Sequence, residues 1–502
     1  MADPSLRVRQ EFDADQRSEA IPSPPSPLSE DSSSRTAIEA VVVRARSVFE
    51  SGATRSVASR VRNLEALRRM LEEHRGDFEV ALKADLGKSP REASLTEIDA
   101  VLGEVAHAHR HLKRWIASRR VRTPASHWPS SARIVPEPLG VVLVMSPWNY
   151  PVNLSLNPVV GVLAAGNTAV VKPSPDAPHS AEVMARLSPQ YFPDGAVQIL
   201  TGPISVAVQL LEHRFDHIIF TGSTAVGKLV MEAASQHLTP VTLELGGKSP
   251  VWFDDDARID DAARRLAWAK YTNAGQTCVS PDYVLTTPER VPALVEALRR
   301  AIVDLWGADP ARGEYGRIVN ERNFDRLVGY LEGADVALGG GHDRSSRYIE
   351  PTVVTIPRAA RQVVGPESSH AALREEIFGP ILPIVPVASK EQAVQVITGW
   401  GKPLALYVFS ASNDTRRFFE ERTSSGTMVH DAALIQAATT GLPFGGVGPS
   451  GMGRYHGRAS IETFSNMKTV LRKPLRPDTL RLVAPGTPRW QQAFVSRLQR
   501  RG

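Results

Sequence analysis

Between residues 140 and 245, five short apolar runs (140–145, 168–172, 197–200, 217–220 and 241–245) are separated by stretches of helix length. Few folds accept that rhythm. Strand-like runs alternating with helical segments argue for βαβ units stacked into a parallel sheet. The fold class expected is therefore α/β. In open α/β sheets ligands bind in the crevice beyond the carboxyl ends of the strands, so the residues that follow each run are where chemistry is expected. A second α/β region follows over 246–449.

The flanks read differently. Residues 1–35, rich in Ser, Pro and charge, cannot bury enough apolar surface to offset ordering entropy, which predicts a disordered extension. From Thr36 to about residue 120 the pattern is helical, with Leu64, Leu67 and Leu71, and again Leu95, Ile98 and Leu102, at helical spacing. That period stops at Pro124 and Pro129, and an extended segment follows. Residues 476–502 form a basic tail in which Trp490, Phe494, Val495 and Leu498 share one helical face. Such a helix either docks on its own protein or touches a membrane surface.

Composition excludes several function classes. Hydrophobic residues at 42% and charged ones at 23% describe a chain with a sizeable core. The 59 Lys+Arg are nearly matched by 54 Asp+Glu and interspersed with them, which argues against nucleic acid as a partner. A single cysteine allows no internal disulfide and suits a reducing compartment, the cytoplasm. No HExxH or CxxC spacing suggests a metal. The N-terminus lacks the apolar core of a signal peptide. The longest apolar runs, such as 159–171, are broken by Gly and Asn, so no transmembrane span is expected.

The one cysteine, Cys278, lies in NAGQTCVSPDYVL at 273–285. A lone thiol is ordinarily a small buried hydrophobe. Its neighbours here make a polar, turn-rich loop, the kind of place where a rigid scaffold holds a nucleophile. Other segments carry equally pointed chemistry: PWNYP at 147–151, VVKPS at 170–174, FTGSTAVGK at 220–228, ELGGKSP at 244–250, EEIFGP at 375–380, KPLALYVFS at 402–410 and LPFGGVG at 442–448. Taken alone, Asn149 is either a turn residue or a carboxamide donor, and Lys172 an ordinary strand end. The glycine turn at 222–227 opens a helix whose free N–H groups suit a pyrophosphate, but it is not the GxGxxG fingerprint.

In this order, over about 55–475, the segments resemble the aldehyde dehydrogenase family, and PDYVL with YHG at 455–457 is most like its class 3 branch. The resemblance implies three interleaved parts: an NAD(P)-binding Rossmann-like domain (36–119 and 139–245), a catalytic domain (246–449) and a β-arm for oligomerisation (120–138 and 461–475) that pairs across a homodimer. It implies that Cys278, a thiolate by a lowered pKa, attacks an aldehyde; that Asn149 and the Cys278 N–H hold the oxyanion; and that Glu244 activates water against the thioester. NAD or NADP would be held by Trp148, Lys172, Ser174, Gly222, Ser223, Thr224, Val226, Gly227, Glu376 and Phe378. Tyr150 and Phe444 would line an apolar mouth for aromatic or medium-to-long aliphatic aldehydes. Alternatives are a CoA-acylating relative, a Cys/His hydrolase, or a catalytically silent scaffold. Two positions depart from the family pattern. Pro175, then Asp176, stands where a ribose-binding Glu is common, which predicts use of both NAD and NADP; Val429-His430 replaces Val-Asn or Ile-Asn.

Overall fold

The computed structural model describes residues 32–124, 127–356, 364–365, 367–368 and 370–500. Most of the predicted extension therefore lies outside the described residues. Its last residues do not: a helix runs Ser32–Glu50, starting ahead of Thr36. Serines lower the apolar content that marked this stretch as an extension, yet they are well tolerated at a helix start.

The five apolar runs form strands Val141–Met145, Thr168–Lys172, Val197–Ile199, His217–Gly222 and Val241–Leu245, all parallel. Their spatial order places Val141–Met145 centrally, between His217–Gly222 and Thr168–Lys172. A short strand from far along the chain, Gly451–Met452, closes one edge antiparallel, with Gly451 opposite Glu244. The strands are buried on both faces, as parallel strands covered by helices must be. A second, seven-stranded sheet carries Pro250–Phe253, Tyr283–Thr286, Ile381–Pro386 and Ala405–Phe409 in its interior. It is parallel except for its edge strand Asp335–Leu338.

A third sheet is antiparallel and three-stranded, built from Arg119–Val121, Ser131–Pro138 and Ser465–Arg472. Residues 461–463, expected in this arm, instead belong to the helix Gly457–Thr463. The tail forms a helix, Arg489–Gln499, that buries Val495 but leaves Trp490 and Phe494 exposed.

Helical periodicity holds for Leu64, Leu67 and Leu71, all buried in Val57–Glu73. It fails for Leu95. A π-helical turn, Ser94–Ile98, interrupts the helix there, and the wider turn rotates Leu95 off the face that Ile98 shares with the core. Leu95 is 57% exposed and lines a cavity described below.

Candidate active site

The loop bearing Cys278 is bent and heavily tied. Asn273 and Ala274 have φ of 53° and 51°, the left-handed region that costs an ordinary residue roughly 1–2 kcal/mol. The contacts around Asn273 hold this conformation. Its backbone N–H donates to Glu92 Oε1 at 2.8 Å, and its side-chain Nδ2 donates to the carbonyls of Asn149 (2.8 Å) and Gln276 (3.0 Å). Gln276 in turn donates from Nε2 to Arg317 O at 3.0 Å and accepts from the Val319 N–H at 3.0 Å. Gly275 follows in the same left-handed region, where a Cβ would lie 2.2 Å from the Gly379 carbonyl oxygen.

Asn149 approaches from the end of the central strand. It is 1% exposed, its Nδ2 donates to Gln276 O at 3.0 Å, and its Oδ1 has no partner among the described residues. Its own carbonyl accepts from Lys88 Nζ at 3.0 Å. Lys88 is paired with Glu97, whose Oε2 accepts the N–H groups of Val152 and Asn153 at the start of the next helix. A buried pair thus fixes the turn that carries Asn149 and Tyr150.

Glu244 sits on the strand next to the closed edge, 2% exposed, and neither carboxylate oxygen is hydrogen-bonded among the described residues. Burial pushes its pKa well up, opposed only by Arg454. Gly445 makes room for it: a Cβ there would lie 3.0 Å from Glu244 Oε1.

Cys278 departs from expectation. Its thiol is pushed up to about 12, first by burial and then by Glu376 and Glu244, although the residue as a whole is only half-buried. A thiolate is favoured by a helix N-terminus or a cation. Two carboxylates from other segments, Glu376 and Glu244, face it instead and hold the thiol's pKa up.

Two cavities meet at Cys278. One is a cleft of about 620 Å³ lined by Trp148, Asn149, Gly222, Ser223, Glu244, Glu376 and Phe378 among others. Trp148 and Phe378 pack edge to face at 5.4 Å between ring centres. Glu376, pushed up to about 8 by burial and by Asp282, accepts from the Gly247 N–H at 3.1 Å. The segment bearing it is pinned by Lys248, which pairs with buried Asp282 and donates to the carbonyls of Ala372 and Glu375, both at 2.9 Å. The other cavity, about 280 Å³, is mostly apolar and contains Tyr150 and Phe444. Tyr150 is fixed by a 2.7 Å hydrogen bond to Thr277 Oγ1.

Five expected cofactor residues do not line the cleft. Lys172 is 3% exposed and donates back to Pro173 O at 2.8 Å; burial lowers its pKa to about 8. Ser174 accepts from the Asp176 N–H at 3.2 Å. Thr224 donates to Pro449 O at 3.2 Å. Val226 is buried and offers its N–H to the Ser223 cap. Gly227 serves packing: a Cβ there would lie 2.6 Å from Leu245 Cδ2. Asp176, which follows Pro175 at the ribose position, lines the cleft; Asn320 and Arg326 there, and Leu95, Trp268 and His456 in the apolar cavity, were not anticipated. The departure at His430 is local, since its Nε2 meets Glu420 Oε1 at 2.8 Å.

Comparison with known proteins follows the same lines. The model of the aldehyde dehydrogenase family matches residues 29–470. The dimeric NADP-preferring aldehyde dehydrogenase of Canis lupus familiaris is 44% identical over 442 residues, 88% of this chain and 96% of that one. Aldehyde dehydrogenase family 3 member A2 of Rattus norvegicus is 44% identical over 444 residues, 88% and 90% of the two chains. Among solved structures, the substrate-bound state of Staphylococcus aureus AldH superposes with a TM-score of 0.85 at 37% identity, covering 91% and 98% of the chains. PnpE in complex with nicotinamide adenine dinucleotide gives 0.78 at 26% identity, covering 88% and 90%.

Proposed function

Because the chain belongs to the aldehyde dehydrogenase family, we propose that Cys278, Asn149 and Glu244 are the residues with which it oxidises an aldehyde to a carboxylic acid, using NAD or NADP. The observation that carries this reading is the convergence on one sulfur of an apolar cavity and a polar cleft, with an unpartnered buried carboxylate in the cleft wall.

The residues present fit a dinucleotide. The cleft runs from Cys278 to the turn at Gly222 and Ser223, where the helix Thr224–Ser235 begins, and a helix start of this kind suits a pyrophosphate. A Cβ at Gly222 would strike the Phe220 ring at 2.4 Å, so the turn stays narrow enough for close approach. When bound, the cofactor supplies the hydride acceptor.

The protein's own part is proton and charge management. The thiol must lose its proton before attack; the carboxylates within electrostatic reach of it are Glu376 and Glu244, and the proton passes out through the cleft they line before the later step. As Sγ bonds to the carbonyl carbon, the carbonyl electron pair moves to oxygen, and the second Asn149 Nδ2 hydrogen is free to meet it. A donor of this kind is worth roughly 2.7–4 kcal/mol in the transition state. Glu244 then takes a proton from water as that water adds to the thioester, and the acid leaves as the thiol re-forms. A carboxylate with a raised pKa is the stronger base for this task.

The apolar cavity suits aromatic or medium-to-long aliphatic aldehydes, with Tyr150, Phe444 and Trp268 around the chain or ring. The three interleaved domains of the sequence reading, with the three-stranded sheet as an oligomerisation arm, remain the organisation we favour. Among the described residues, strand Ser465–Arg472 is hydrogen-bonded on one side only and exposes Met467 and Leu471, which supports pairing with a second copy. Among the described residues no helix is long and apolar enough to cross a membrane. A reducing compartment, the cytoplasm, suits an enzyme whose nucleophile is a free thiol. The test is appearance of reduced cofactor with a panel of small, aromatic and long-chain aldehydes, with and without coenzyme A. Turnover without coenzyme A is expected; no reduction with any aldehyde would overturn the reading.

A further inference from the structure

Glu92 lines neither of the cavities that meet at Cys278. It belongs to the short helix Pro90–Ala93 and faces a third cavity, of about 300 Å³, together with Ser89, Thr96 and Trp268. Its backbone is fixed on both sides. The N–H donates to Ser89 Oγ at 3.2 Å, and the carbonyl accepts from Thr96 Oγ1 at 2.8 Å. Among the described residues its carboxylate accepts a single hydrogen bond, the 2.8 Å bond from the Asn273 N–H.

That bond falls on the residue that orients Asn149. Asn273 opens the left-handed stretch before the nucleophile, and its Nδ2 donates to Asn149 O at 2.8 Å and to Gln276 O at 3.0 Å. Gln276 O is also the acceptor toward which the Asn149 amide donates, at 3.0 Å. A planar amide carries two hydrogens on its nitrogen, so the direction of the one bound to Gln276 O sets the direction of the other. Asn273 therefore holds both the backbone of Asn149 and the acceptor that aims its side chain. Glu92 is the tether that reaches this arrangement from outside the loop.

We propose that Glu92 is a positioning residue for the chemical step: by gripping the Asn273 N–H it fixes, through the Asn273 side chain, the direction of the Asn149 hydrogen that meets the oxyanion. The inference rests on the assignment of Asn149 as the oxyanion donor. Misplacing a reacting group by about 1 Å costs up to ~100-fold in rate, so the loss of one tether is expected to cost about 10-fold. Cofactor affinity should be spared, because neither Glu92 nor Asn273 lines the dinucleotide cleft.

The test compares the rate of cofactor reduction in the first turnover with the cofactor Kd, both for the full-length enzyme. Glu92→Leu removes the acceptor and should slow reduction about 10-fold, with the Kd within about threefold of wild type. Glu92→Gln keeps an acceptor oxygen and should restore most of the rate. Asn273→Gly keeps the backbone N–H and the left-handed conformation but cuts the side-chain link, so it should slow reduction similarly. Adding Glu92→Leu to it should cost less than about twofold more, because the two changes break one chain of contacts. A merely structural lesion would weaken cofactor binding along with the rate, and Gln would not rescue it. Reduction at the wild-type rate in Glu92→Leu or Asn273→Gly, no rescue by Gln, or losses that multiply in the double variant would overturn the proposal. Should Glu92→Leu not fold, Glu92→Asp, whose carboxylate falls a methylene short, replaces it, and an undiminished rate there overturns the proposal equally. An undiminished rate in Asn149→Ala, or no reduction by wild type with any aldehyde, would instead defeat the functional reading on which it rests.

Discussion

Gly246 stands against the carboxylate of Glu376 so closely that a Cβ there would lie 2.0 Å from Oε2. The next residue donates its backbone N–H to the same oxygen. Two consecutive glycines after Glu244 thus give a carboxylate from a distant segment a seat in the cleft wall.

Gly246→Ala should therefore displace Glu376 without unfolding the protein, since the clash is with the end of a flexible side chain. Cofactor affinity should fall about 10-fold, while alkylation of Cys278 in the cofactor-free protein should speed up, because the larger of the two carboxylate effects that raise the thiol's pKa moves away. Calorimetric titration and an alkylation rate check the two halves. Undiminished affinity would mean that the seat is not used.

Cys278→Ser should abolish aldehyde oxidation and leave cofactor binding largely intact, because the hydroxyl is a far poorer nucleophile and the cofactor cleft is built mostly from other segments. Residual oxidation above about a thousandth of the wild-type rate would point to another nucleophile.

The thiol itself is predicted to be sluggish at rest. With its pKa pushed up to about 12 by burial and two carboxylates, the rate of Cys278 alkylation in the cofactor-free protein should still be climbing at alkaline pH. An ordinary thiol would level off near its usual value of about 8.5. A plateau below that value would show that a cation lowers the pKa after all.

Glu244→Gln should slow deacylation more than the first chemical step, giving a burst of reduced cofactor followed by slow turnover. It should also stabilise the fold at neutral pH. An acid whose folded pKa is raised weakens the folded state above its unfolded pKa, and that cost vanishes as pH falls below it. The variant should hence melt higher than wild type at neutral pH, with the gap closing near pH ~4. A lower melting temperature at every pH would refute this assignment of its environment.

Asp282→Asn should be costly. Asp282 pairs with Lys248 and accepts the Ile377 N–H at 3.0 Å, all out of water. Leaving a buried ammonium without its counter-charge costs roughly 3–5 kcal/mol, which thermal or denaturant unfolding would register. A loss below about 1 kcal/mol would mean that solvent reaches the pair.

What was legible in the chain follows from what a local pattern can encode. The parallel strands were visible because each is apolar on both faces and ends at a polar turn. The candidate nucleophile stood out because its loop is polar and turn-rich. The Leu95 turn did not, because an added residue per turn leaves the spacing of apolar positions intact until the backbone is seen. The Lys248–Asp282 pair and the Glu92–Asn273 contact were invisible for another reason. Each joins residues from separate segments, and one side chain's meaning depends on a partner that no local window contains. The expected thiolate failed likewise, since the two carboxylates that raise the Cys278 pKa arrive from different strands and loops.

The edge strand Gly451–Met452 also bears on how the enzyme comes into being. It lies opposite Leu243 and Glu244, so the strand holding Glu244 keeps one open side until residue 452 has been made. A nascent chain stopped before Ser450 would own the thiol, the amide and the carboxylate, yet could not complete the sheet around them. A message cut short there should yield a chain in which the strand of Glu244 stays open-edged, and such a chain is expected to be inert, not half-active.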